Sequence, residues 1–243
     1  HGFWGQSSDW AFLSTLCKSK RWNLIAPDLH QSSTSKSLSD WASDFNLSCS
    51  RLKGPQSSHF FLIGYSMGGR LALHALTSKP QIWSGAILIS THTGLTNAVA
   101  RKQRLKADSL WKKRFESKEK LSSILDDWNK QPIFNTTKSP RKKLQTSKKF
   151  RSSLAHVMDS WSLGKQKNLL PKLRKVTCPV LMIAGEKDTK FTQIAKSLPH
   201  HLILQNCGHR VSYDQPLALT KAIGEFILQQ TDQLTTEESG LST

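Results

Sequence analysis

Residues Phe61 to Arg70 read FLIGYSMGGR. An apolar run stops at a serine set between glycines, and apolar residues then return at helical spacing through "GGRLALHALTS". That order is a strand, a sharp turn and a helix packed back onto the strand. A short run of this kind fits a buried strand of a parallel sheet, and parallel neighbours need long crossover connections. The chain supplies them. "WNLIAPDL" (22–29), "HFFLIGY" (59–65), "GAILIST" (85–91), "CPVLMIAGE" (178–186) and "HHLILQNC" (200–207) are all too short for core helices. Helix-like stretches such as "DWAFLSTLCKS" and "PLALTKAIGEFILQQ" alternate with them. The expectation is an α/β fold with a mainly parallel sheet.

The alternation breaks between 96 and 165, where the chain is helical in pattern, basic and poor in strands. This segment reads as a lid inserted into the core, which gives a first core part at 1–95, a lid at 96–165 and a second core part at 166–230. The last stretch, 231–243, is polar and aperiodic and is expected to be a disordered tail. Residues 101–151 carry 17 of the 35 Lys and Arg of a chain with net charge +18, against 5 acids. No zinc-finger pattern, RNP motif or stacking-aromatic repeat accompanies that charge, which argues against nucleic acid as partner. Two readings of it stand: a solvated helical face, or a basic lid over a site for a carboxylate-rich small molecule. No apolar run reaches the roughly 20 residues of a membrane helix, so no membrane partner is expected. Cys17, Cys49, Cys178 and Cys207 are scattered without metal or redox spacing, as in reduced thiols of a cytosolic protein.

Gly64-Tyr65-Ser66-Met67-Gly68 fits G-x-S-x-G, in which the turn lifts a serine to the carboxyl end of its strand beside a helix N-terminus. Such a serine needs a base and an orienting acid, in the chain order Ser, Asp, His. "LMIAGEKDTKF" supplies Asp188 just past a strand, with Glu186 as its rival, and "LILQNCGHRVSYDQP" supplies His209 in the loop after the last strand. His30, His74, His156, His200 and His201 lack a comparable setting and read as surface or packing residues. An oxyanion hole needs two backbone N–H donors. Met67, after the serine, is one candidate, and Phe3 in the early "HGF" loop is the other.

These features together resemble the α/β-hydrolase fold over nearly the whole chain. A narrower resemblance rests on "HGFWGQSSDW", "GYSMGGRLAL", "THTGL", "DDWNKQPIF" and "GEKDTKF". They look like the signatures of the 2-succinyl-6-hydroxy-2,4-cyclohexadiene-1-carboxylate synthases of menaquinone and phylloquinone biosynthesis. That resemblance implies a carbon–oxygen lyase that expels pyruvate from an enolpyruvyl cyclohexene tricarboxylate, with no cofactor and no metal. It implies Ser66 as the proton-abstracting base, activated by His209 and Asp188, and an oxyanion hole at Phe3 and Met67. It also implies substrate contacts from Tyr65, Arg70, Arg104 and Trp128. Arg70 lies at i+4 from Ser66, on the same helix face, and its fork suits a carboxylate. Arg101, Arg104 and Asp108 share one face of a lid helix at i, i+3 and i+7.

The chain departs from the family in places. "DLHQSSTS" replaces the glycine-containing loop after the 22–29 run, and where relatives carry a further lid arginine this chain has Lys148 or Lys149 in "QTSKKFR". The fold also places a strand ahead of "HG", inside the sheet. Without it the sheet is expected to leave buried backbone unpaired and residues 1–243 alone to fold poorly. A carboxylesterase, thioesterase or carbon–carbon bond hydrolase would use the same triad, with Ser66 as nucleophile. A binding protein on the same scaffold is a further alternative. Oligomeric state is not legible.

Overall fold

The computed structural model describes residues 1–31, 36–52, 59–137 and 147–240. Four parallel strands lie side by side in chain order: β1 (Phe61–Tyr65), β2 (Gly85–Ile89), β3 (Val180–Gly185) and β4 (His201–Leu204). Ile63 pairs with Ile87, Ile87 with Leu181, and Ile183 with Leu202. Alternation along each strand sorts the side chains onto two faces. Leu62, Ala86, Leu88, Met182 and Ala184 pack under α2 (Leu38–Leu52), α3 (Met67–Ser78) and α8 (Thr189–Lys196). Ile87, Ile89, Ile183 and Leu204 pack on the other side. Their partners are Trp10 and Leu13, α1 (Ser14–Lys20) through Leu16, and α10 (Pro216–Gly240) through Leu219, Ile223 and Ile227. The chain order of strands and covering helices is the expected α/β architecture.

Between β2 and β3, in the segment that the sequence reads as a lid, stand the helices α4 (Ala98–Glu116), α5 (Leu121–Asn129) and α6 (Lys148–Ser160), followed by the short α7 (Leu170–Leu173). Asn97 caps α4 by accepting from the Val99 and Ala100 N–H groups, and Ser147 caps α6 by accepting from Phe150. Phe115, Ile124, Trp128, Phe150, Leu154 and Met158 form a core of their own, against which Phe3, Trp4 and Phe134 pack. The lid therefore rests on the early loop as well as on itself.

Several of its many cations are spent on internal structure. Arg114 bridges Glu119 and Asp127, and Lys112 and Lys165 share Asp159. Arg151 on α6 donates to the carbonyls of Arg114, Phe115, Ser117 and Glu119. Those carbonyls lie at and just beyond the C-terminal end of α4, where no intrahelical N–H remains to satisfy them. Arg151→Ala is expected to cost about 2–3 kcal/mol and to lower the melting temperature by about 4–10 °C. Arg151→Lys should recover less than half, since an ammonium cannot span the four acceptors. Circular dichroism melts check this, and an unchanged midpoint would contradict it.

Two sequence expectations need correction. Residues 22–28 form no strand, and Leu24 and Ile25 are 40% and 66% exposed. A parallel strand needs a neighbour for its N–H and C=O groups, and among the described residues none pairs with this segment; β1 is bonded to β2 alone. The expected disordered tail is instead helical as far as Gly240, because α10 carries its hydrogen bonding on past its last core contact. Residues 241–243 lie outside the described residues, as do 32–35 of "DLHQSSTS" and 138–146 of the basic lid stretch. No described helix is long and apolar enough to cross a membrane.

Candidate active site

The turn at Ser66 is where the fold and the site meet. Ser66 takes φ 51° and ψ −109°, a backbone region that L residues rarely occupy. The Ser66 N–H holds the conformation by donating to Ile89 O at the end of β2, 2.9 Å away. Gly64 lets the helix come close: a Cβ there would lie 2.7 Å from both Gly68 O and Gly69 Cα. Gly68 does the same for the early loop, since its Cβ would lie 2.5 Å from His1 O.

The Ser66 hydroxyl donates to His209 Nε2 at 3.0 Å, and His209 Nδ1–H donates to Asp188 Oδ2 at 2.6 Å. Asp188 follows β3 and stands at the start of α8. His209 lies between β4 and α9 (Val211–Asp214) and is wedged against Phe191, with ring centroids 4.7 Å apart. Both are buried. Glu186, the rival acid, is exposed and accepts from the Asn206 N–H instead. The three expected residues are thus brought together from three strand ends.

The early loop reaches the same place. His1 O accepts from Gly68 N–H at 3.1 Å, and His1 Nε2 accepts from Leu29 N–H at 3.0 Å. This pins Phe3 beside the N-terminus of α3. Among the described residues neither the Phe3 nor the Met67 N–H has a hydrogen-bond acceptor, which leaves two donors beside Ser66 for an oxyanion. His30 steadies the loop from the lid side. One ring nitrogen meets Phe3 O at 2.5 Å and the other meets Ser153 Oγ of α6 at 3.0 Å.

A cavity of about 200 Å³ opens over Ser66 and His209. Its walls include Phe3, Tyr65, Met67, Arg70, Arg104 and Trp128, every remaining position the sequence singled out for the site. Arg70 is buried, and its fork donates to Trp161 O at 2.6 Å and Gln166 Oε1 at 3.2 Å. Burial first, and then the nearby Arg104, bring its pKa down to about 9, so it keeps its charge at neutral pH. Arg104 Nε donates to both oxygens of Asp108 at 2.9 Å, and Asp108 also accepts from Ser162. Trp128 packs against Phe3, with ring centroids 4.5 Å apart and the planes tilted by 32°. Burial pushes the Tyr65 hydroxyl well above its ordinary range, so it is a donor at neutral pH. Arg101 turns instead to Gly164 O, and Lys148 and Lys149 are exposed at the start of α6.

Three residues of this region were not singled out from sequence. Arg210, next in chain to His209, lines the cavity, and so does His92. Gln166 donates to His92 O while accepting from Arg70, and so sets the arginine's fork. His92 lies inside "THTGL" and Arg210 beside the histidine, so motif neighbourhood was the available signal for both.

His92, His30 and His74 share a property that affects stability. Burial foremost lowers their pKa values from the ordinary 6.5 to about 3, 4 and 4. Cations nearby add to this for His92 and His74. In the unfolded chain these groups take up protons as pH falls below 6.5, while in the folded chain they resist until about 4 or lower. Their contribution is therefore present above 6.5 and is lost on the way down to about 4. Each histidine removes about 1.4 kcal/mol per pH unit in that window. Melts at pH 7 and pH 5 are expected to differ by at least about 8 °C, and His74→Leu should narrow the gap. Equal midpoints would contradict neutral burial of these rings.

The sequence profile of the alpha/beta hydrolase family matches residues 1–222. The chain belongs to the alpha/beta hydrolase family. It is similar to 2-succinyl-6-hydroxy-2,4-cyclohexadiene-1-carboxylate synthase of Yersinia pseudotuberculosis (strain YPIII). The two are 30% identical over 237 residues, which cover 95% of this chain and 86% of that protein. The protein of the same name from Yersinia pestis (strain Pestoides F) matches with the same identity and coverage. Among solved structures, MenH from S. aureus superposes with a TM-score of 0.79 at 23% identity, covering 95% of this chain and 92% of that one. A thermophilic esterase from Thermogutta terrifontis gives 0.69 at 17%, covering 95% and 88%. At these identities the structural likeness carries the alpha/beta hydrolase fold, not a substrate.

Proposed function

We propose that this protein is a carbon–oxygen lyase of menaquinone or phylloquinone biosynthesis. It eliminates pyruvate from 2-succinyl-5-enolpyruvyl-6-hydroxy-3-cyclohexene-1-carboxylate and leaves 2-succinyl-6-hydroxy-2,4-cyclohexadiene-1-carboxylate. The observation that carries this is the placing of arginine guanidinium groups in the wall of the cavity that holds Ser66. A triad by itself serves many chemistries. A substrate with three carboxylates needs cations in that wall, and a greasy ester does not. The names of the relatives point the same way.

In this reading Ser66 is a base. As its hydroxyl proton passes to His209 Nε2, Ser66 Oγ takes the ring proton next to the succinyl carbonyl. Asp188 holds the imidazole in the required tautomer and stabilises the imidazolium. The electron pair moves onto the succinyl oxygen, where the Phe3 and Met67 N–H groups meet the growing charge. It then returns through the ring double bond, forms the second double bond of the diene and breaks the carbon–oxygen bond to the enolpyruvyl group. Pyruvate leaves as its enolate and takes up the proton. No water is consumed.

The second reading is a serine hydrolase, an esterase, thioesterase or carbon–carbon bond hydrolase, since the same triad also activates a nucleophile. Deuterium at the ring carbon next to the succinyl carbonyl separates the two. The lyase reading expects a primary isotope effect on pyruvate release and no acyl-enzyme burst. A burst with no isotope effect would favour the hydrolase.

A further inference from the structure

His30 joins two parts of the molecule that the proposed chemistry needs together. It stands in the "DLHQSSTS" loop and is 4% exposed. Its backbone N–H donates to Asp28 Oδ1 at 3.0 Å, and its ring lies edge-on to Phe150 of α6, with centroids 5.0 Å apart. Nε2 is 2.5 Å from Phe3 O, and Nδ1 is 3.0 Å from Oγ of Ser153, a buried residue of α6. The bonding between the two loops runs both ways, since His1 Nε2 accepts from the Leu29 N–H.

The partners decide where the protons sit. A carbonyl only accepts, so Nε2 carries the hydrogen that faces Phe3 O. Burial foremost keeps the ring neutral, with a pKa of about 4. Nδ1 is then an acceptor and takes the Ser153 hydroxyl proton, for which Phe150 O at 2.7 Å is the second acceptor within reach. The result is one directed chain, from Ser153 O–H to His30 Nδ1 and from His30 Nε2–H to Phe3 O.

Phe3 is the first central residue of a turn closed by the Gly5 N–H on Gly2 O at 2.9 Å. Among the described residues His30 is the partner of Phe3 O. The N–H of the same residue is the early loop's oxyanion donor, one Cα away from that carbonyl. The helix that anchors the chain also lines the cavity, through Phe150, Val157 and Met158. One element therefore touches both the space for the substrate and the bond that orients Phe3.

We propose that His30 is a positioning residue which, with Ser153, couples α6 to the Phe3 N–H, so that the helix forming part of the cavity wall also sets the oxyanion hole. This rests on the oxyanion role given to Phe3 in the proposed reaction, a role that an elimination and an acyl transfer share. A donor aimed at charge that develops in the transition state acts on kcat rather than on KM.

Steady-state kinetics with the enolpyruvyl substrate compare His30→Phe, His30→Gln, Ser153→Ala and the double variant His30→Phe/Ser153→Ala. His30→Phe keeps an aromatic ring and loses both hydrogen bonds; it is expected to lower kcat about 30-fold and leave KM within about threefold. His30→Gln offers an amide N–H at the distance of Nε2 from the backbone and should bring kcat back to within about fivefold of the unaltered protein. Ser153→Ala alone should cost about fivefold, and less than about twofold on top of His30→Phe, because the chain is then already broken. A merely packing role would shift the melting temperature, spare kcat and favour phenylalanine over glutamine. Should His30→Phe not melt cooperatively, His30→Met is read by the same criterion. Unchanged kcat in His30→Phe overturns the proposal, as do equal losses in the phenylalanine and glutamine variants. Full additivity of Ser153→Ala with His30→Phe overturns the coupling to α6. If the unaltered protein releases no pyruvate, the lyase reading fails by itself. The same variants are then compared on Ser66-dependent cleavage of p-nitrophenyl acetate, where the same pattern is expected and its absence overturns the proposal.

Discussion

Ser66→Ala is expected to lower pyruvate release by about a thousandfold or more while the protein still melts cooperatively. The size of the effect follows from geometry. Ser66 Oγ is within hydrogen-bond reach of His209 Nε2 at 3.0 Å, and His209 is fixed by Asp188 at 2.6 Å. Alanine keeps the turn and removes the oxygen that takes the proton. The backbone makes a second, opposite prediction at the same position. At φ 51° and ψ −109° any residue with a Cβ is strained. Ser66→Gly should be as inactive as Ser66→Ala yet about 1 kcal/mol more stable than it in denaturant unfolding. A glycine variant less stable than the alanine variant would mean that the turn is not under strain.

The next largest effect is expected from a methyl group. Gly68→Ala puts a Cβ 2.5 Å from His1 O and 3.0 Å from His1 N, both backbone atoms that cannot rotate away. The early loop must shift, and with it the Gly68 N–H to His1 O bond and the Phe3 N–H. A displacement near 1 Å at an oxyanion donor costs about a hundredfold in rate. Gly68→Ala should therefore lower kcat by about that factor with a smaller change in KM, since Arg70 and Arg104 stay in place. Steady-state kinetics with the enolpyruvyl substrate read the split. A rise in KM alone, with kcat kept, would place the loop in ground-state binding only.

Some of this was legible in the sequence and some was not, for physical reasons. The Gly64–Gly68 pattern dictates a sharp turn after a buried strand, and such a turn fixes a serine at a strand end whatever follows. Asp188 and His209 were readable because each follows a short apolar run of strand character, and both runs have a parallel neighbour to pair with. The 22–29 run shows the limit: apolar content marks a segment able to pair, and pairing also takes a neighbour. Its Leu24 and Ile25 are exposed accordingly. The polar end misled in the opposite direction, since helix continuation past Ile227 needs only local hydrogen bonds, and those leave no apolar period. Lid charge was legible as a total but not in its division. Only coordinates separate Arg151, spent on four carbonyls, from Arg104 and Arg210 in the cavity wall. Gln166, which sets Arg70, carries no motif at all, because any side chain with a well-placed amide oxygen would serve.

The central claim is that Ser66 acts as a base in an elimination. A time course with the enolpyruvyl substrate tests it most directly, with pyruvate read through lactate dehydrogenase by NADH oxidation and the ring product read by mass. The account predicts pyruvate and cyclohexadiene in equal amounts, both lost in Ser66→Ala and strongly reduced in Arg70→Ala, with little cleavage of p-nitrophenyl acetate. Absence of pyruvate together with Ser66-dependent ester cleavage would contradict it and make the protein a hydrolase.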